Sequence, residues 1–135
     1  DESLKMMKDE GLENIFKRHN THKVALSEAV KCLNLKLFAD EKSLSPSITA
    51  ISIDGINAED FRKKIKEKYD ILLAGGQDHL KGKIFRVGHL GYVSDRDIIT
   101  VIAAISNTLI EKNIISAKQA GEALKVASKH LKLNN

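Results

Sequence analysis

The residue pattern predicts an α+β fold: a small, mostly antiparallel sheet with helices packed on one face. Three observations carry this. Stretches with apolar residues at helical spacing occupy both ends of the chain. Short β-branched runs lie between them, bounded by proline, glycine and Asp-Gly. The gap from Ala74 to Ile84 is too short for a crossover helix, so the two runs flanking it pair antiparallel. No internal repeat or low-complexity segment interrupts the 135 residues, which form a single domain over residues 1–135.

In order, Leu4, Met7, Leu12, Ile15, Phe16, Leu26, Val30 and Leu33 describe a helical N-terminal third, broken near Gly11. Leu35–Phe38 reads as a short strand. Asp40–Ser47 reads as a loop holding the only proline, Pro46. Ile48–Ile53 is a strand closed by Asp54-Gly55. Asn57 caps a helix whose inner face is Phe61, Ile65 and Tyr69, with Asp60 at the capping-box position. Ile71–Ala74 and Lys83–Val87 are strands stopped by Gly75-Gly76 and Gly88. Ser94 or Asp95 caps a helix that turns Ile98, Val101, Ile102, Ile105 and Leu109 inward. Ser116 caps the last helix, with Ala120, Leu124, Ala127 and Leu131 inside. The order is helix, strand, strand, helix, strand, strand, helix, helix.

Composition narrows the function. Charged residues make up 30% of the chain with a formal charge of +4, and the two signs are interspersed. No basic stripe builds the field that nucleic acid requires, and the run Arg62-Lys63-Lys64-Ile65-Lys66-Glu67-Lys68 reads as a solvated helix face. No apolar run is long enough to span a bilayer. Cys32 is alone, which rules out an intramolecular disulfide, suggests no cysteine-based metal site and fits a cytoplasmic setting. His19 and His22 lie near the buried helix face, three apart, without a third ligand at useful spacing; hydrogen-bonded structural roles are expected. The start at Asp1, inside a helical pattern, suggests a fragment or a processed product.

Residues 75–91 concentrate the unusual features: five glycines, His79, His89, Lys81, Lys83 and Arg86 within seventeen residues. The glycine spacing matches neither a P-loop nor a dinucleotide fingerprint. Lys81 and Lys83 lie in a polar, turn-rich setting that leaves their amines unactivated. His79 and His89 have no triad partners nearby in sequence. Arg86 interrupts the apolar strand Ile84-Phe85-Arg86-Val87. A buried guanidinium there needs a carboxylate, a phosphate or several carbonyls; an alternating strand could equally leave it on the solvent side. The pattern alone does not choose.

The run Leu80-Lys81-Gly82-Lys83-Ile84-Phe85-Arg86-Val87-Gly88-His89-Leu90-Gly91, opened by Gly75-Gly76-Gln77, resembles a signature near the C-terminus of class V aminotransferases. The branch it resembles is that of alanine–glyoxylate and serine–pyruvate aminotransferases. Gly11-Leu12-Glu13-Asn14 through Arg18-His19 is similar to the first helix of that family's small domain, and Leu44–Ile53 to one of its strands, although Asp54 stands where proline is usual.

The resemblance implies the C-terminal small domain of a homodimeric enzyme whose large domain, absent from this chain, holds pyridoxal 5'-phosphate through a lysine. It assigns Arg86 to the substrate's α-carboxylate, since a guanidinium grips a carboxylate with two parallel hydrogen bonds. It gives Gly88 and Gly91 the shaping of the adjoining turn, and His89 its support. No catalytic residue and no metal ligand is expected in this chain, and the chain alone is expected to be inactive. The implied reaction moves an amino group between alanine or serine and glyoxylate or pyruvate, with neither nucleic acid nor membrane as partner. The alternative is a catalytically silent binding domain on the same scaffold, or the branch labelled as a soluble hydrogenase subunit, although the cysteines of a hydrogenase centre are missing.

Overall fold

The computed structural model describes residues 1–132. Helices α1 (Glu2–Glu10) and α2 (Leu12–Cys32) meet at Gly11, whose φ of 83° breaks the helical path. Strands β1 (Lys36–Leu37) and β2 (Ile48–Ser52) follow, then α3 (Ala58–Tyr69), β3 (Ala74–Gly75), β4 (Ile84–Gly88), α4 (Asp95–Glu111) and α5 (Ala117–His130). The element order is the one the sequence predicts.

The four strands form one sheet in the order β1-β2-β4-β3, and every neighbouring pair is antiparallel. The pairs Ile51↔Phe85 and Thr49↔Val87 put four buried residues on one face. Strand alternation puts Ile48, Ala50, Ser52, Arg86 and Gly88 on the other. Helices α2 and α3 lie against the first face, and α4 and α5 complete the helical side. Phe61 of α3 and Phe85 of β4 are fully buried, with ring centroids 5.2 Å apart. Around them pack Leu26, Val30 and Leu33 of α2 and Ile98, Ile102, Ile105 and Leu109 of α4. The second face carries no helix and is the side on which Arg86 stands.

Each cap has a local cause. The Asn57 side chain accepts from the Glu59 and Asp60 amides. Ser94, not Asp95, caps α4 in a reciprocal box with Asp97, and Ser116 does the same with Gln119.

Three expectations change. The strand expected over Ile71–Ala74 pairs only at Ala74–Gly75, because Leu72 turns out to solvent at 80% exposure and the glycine continues the ladder. The strand expected to stop at Gly88 includes it, paired with Ile48, and β1 is only two residues long. Leu4 and Met7 of α1 and Leu12 and Phe16 at the start of α2 fit the helical period yet are exposed, since nothing among the described residues covers them.

Candidate functional site

The site is built around Arg86. Its neighbours across the ladder are Ala50 on β2 and Ala74 on β3, both too small to cover it. The side chain is half-buried, and Nε donates to the Gly75 carbonyl at 2.9 Å. Among the described residues no carboxylate pairs with it, and Nη1 and Nη2 have no hydrogen-bond partner. Of the two readings left open by the sequence, the structure gives a mixed answer. The arginine is on the helix-free face, with one carbonyl engaged and its fork free.

The chain after β4 is pinned at His89, Gly91 and Val93. The His89 amide donates to the Ser47 carbonyl at 2.9 Å, and its Nε2 meets Thr49 Oγ1 at 2.9 Å in a fully buried contact. Burial, helped by the nearby His22 and His19, pushes the His89 imidazole down to about 4, so the ring is neutral at pH 7. Gly91 takes a φ of 88°, a region that L side chains rarely adopt, and turns the chain toward α2. There Arg18 Nη1 donates to the Gly91 and Val93 carbonyls at 2.8 and 3.2 Å, while Glu10 grips the same guanidinium at 2.7 and 2.9 Å. That pairing holds the Glu10 carboxyl below its usual range.

His19 closes the arrangement. Its Nδ1 lies 2.7 Å from the Ile15 carbonyl, which can only accept, and its Nε2 receives the Gly91 amide at 3.2 Å. Those partners assign the neutral Nδ1–H tautomer. His22 Nε2 lies 2.8 Å from Asp95 Oδ1, whose other oxygen accepts from the Lys132 amide. Both N-terminal histidines therefore have the structural roles expected of them. Gly88 is extended strand with open space beside it, so the left-handed turn residue is Gly91.

His79, Lys81 and Lys83 are exposed on the turn between β3 and β4 and do not join Arg86. Every lysine of the chain is exposed or half-buried, so none sits in the enclosed, apolar setting that activates a Schiff-base amine. The residues present do not fit a cofactor-binding lysine. Cys32 is half-buried, and among the described residues no group of three or more His, Cys, Asp or Glu could hold a metal ion. No helix of the described residues is long and apolar enough to cross a membrane. Sequence reasoning missed Arg18 and Thr49 as parts of this site. Nothing in the spacing of either residue reports a contact with a segment 40 or more positions away.

Comparison with known proteins places the fold in a class. No family model matches the chain. The (S)-ureidoglycine–glyoxylate transaminase of Bacillus subtilis is 33% identical over 128 residues, 93% of this chain and 30% of that protein. The crystal structure of ureidoglycine–glyoxylate aminotransferase from Bacillus subtilis superimposes with a TM-score of 0.85 at 31% identity, covering 93% of this chain and 33% of that one. Both of these relatives are named as glyoxylate aminotransferases. The soluble hydrogenase 42 kDa subunit of Anabaena cylindrica is 55% identical over 109 residues, 81% of this chain and 28% of that protein. The chain belongs to the class V pyridoxal-phosphate-dependent aminotransferase family and spans about a third of the length of these relatives.

Proposed function

We propose that this chain is the substrate-binding C-terminal small domain of a pyridoxal-phosphate-dependent aminotransferase. The intact protein would move an amino group between alanine or serine and glyoxylate or pyruvate, acting as a homodimer in the cytoplasm. One observation carries the reading: Arg86 stands on the helix-free face of the sheet with Nη1 and Nη2 unpaired. A guanidinium whose Nη atoms have no protein partner is free to take an anion, and a carboxylate fits this fork in a planar, bidentate way.

The cofactor supplies the electron sink for the reaction. This chain contributes orientation. Arg86 binds the α-carboxylate, β2 and β4 set the height of the guanidinium over the sheet, and the neutral His89 ties β4 to Thr49.

The test uses the intact protein. Its visible absorbance with pyridoxal phosphate should change on adding alanine or serine. Arg86→Lys and Arg86→Ala should keep the cofactor absorbance and raise KM for the amino acid roughly 10- to 100-fold or more, the scale of a lost charged hydrogen bond. Normal kinetics in either variant would remove Arg86 from this role.

The name carried by the Anabaena relative favours a second reading, a binding subunit that has kept the scaffold and lost the chemistry. An intact protein that never changes absorbance with pyridoxal phosphate would support it. A cysteine-bound hydrogenase centre needs several thiolates, and this chain offers only Cys32.

A further inference from the structure

We propose that the Gly75–Gly76 peptide is a positioning element that fixes Arg86 so that a carboxylate is gripped end-on, by Nη1 and Nη2. The inference rests on the carboxylate role proposed for Arg86. A trans peptide points its N–H and C=O in opposite directions. The Gly76 amide donates into the ladder, to the Ile84 carbonyl at 3.2 Å. The Gly75 carbonyl therefore faces away from β4, toward the open edge, because β3 is the last strand of the sheet. Edge carbonyls usually go to solvent. This one accepts from Arg86 Nε at 2.9 Å, reached across Ala74.

The peptide is wedged from both sides. A Cβ on Gly76 would stand 2.2 Å from the Leu80 carbonyl oxygen, so only glycine lets the turn through Asp78–Leu80 close against the strand. A Cβ on Gly75 would stand 2.5 Å from Glu59 Oε1 and 3.0 Å from Arg62 Nη2, two side chains that α3 brings up to the strand. Glu59 Oε1 and Arg62 Nε are themselves buried without partners, so this packing is tight. A guanidinium can meet a carboxylate through Nε and one Nη, or through both Nη atoms. With Nε committed to Gly75, the second route is the one left.

Two measurements test this. In ¹H–¹⁵N spectra of the chain, the Arg86 Nε–H signal is assigned by its loss in Arg86→Lys. It should be protected from exchange with water, and Gly76→Ala should speed that exchange by roughly tenfold or more. In the intact protein, Gly76→Ala should raise KM for the amino acid roughly 10-fold, with kcat within about threefold, the signature of lost ground-state orientation. If Gly76→Ala does not fold, Gly75→Ala takes its place, since its Cβ meets only side-chain ends. An unprotected Nε–H in the unsubstituted chain overturns the inference. So does an unmoved KM in the glycine variant while Arg86→Lys raises it. An unmoved KM in Arg86→Lys overturns the carboxylate role as well, and the two failures are thereby told apart.

Discussion

His89 shows how far a single buried ring can shape this domain. It is fully buried, and its value lies near 4, below the ordinary 6.5, because desolvation penalises the charged form. Between those values the unfolded chain takes up a proton that the folded one refuses. Stability should therefore fall as pH drops from about 6.5 to about 4, by roughly 3 kcal/mol, and lose nothing more to this group below that. Urea titrations at pH 7 and pH 4.5 check it, with His89→Gln flattening the dependence. Little of this was legible in sequence. Arg86 stood out because it interrupts an apolar strand. The Thr49 partner of His89 and the Arg18 anchor of Gly91 come from folding together segments that no local pattern links.

Helix starts were easier to read than strand ends. A cap is written within a few residues, so Ser116 was legible for α5 and the choice for α4 was down to Ser94 or Asp95, which the Ser94–Asp97 box decides. Ser94→Ala should cost about 1 kcal/mol, measured by chemical denaturation, because the Asp97 amide loses its Ser94 Oγ acceptor and the Asp97 carboxylate loses the Ser94 hydroxyl donor. Strand pairing depends on a partner elsewhere in the chain. Residues 71–73 look like a strand by composition, but the β3–β4 ladder pairs only Ala74 and Gly75. Glycine was read as a stop, whereas at Gly75 the missing side chain is what admits Glu59 and Arg62 against the strand.

At the scale of the molecule the asymmetry of the sheet was legible, since strands with one apolar face ask for helices on one side only. The exposed apolar side chains of α1 were not, because periodicity reports a face without saying what covers it. Helix α1 buries nothing, and its Glu10 pairs with Arg18. Removing residues 1–9 should change the unfolding free energy by less than about 1 kcal/mol, as read from urea melts, while Leu26→Ala in the core costs roughly 2–5 kcal/mol. The most extensive packing between elements joins α2 to α5, near opposite ends of the chain. Alanines at 25 and 29 on one helix, and at 120, 123 and 127 on the other, are all buried. Loops of that length close slowly, and topologies built on distant partners fold slowly for the same reason. During synthesis the inner face of α2 must therefore wait, uncovered, until α5 has left the ribosome. Helix α5 is the element that seals α2, and a ribosome that stops before residue 117 releases a chain with that face still exposed.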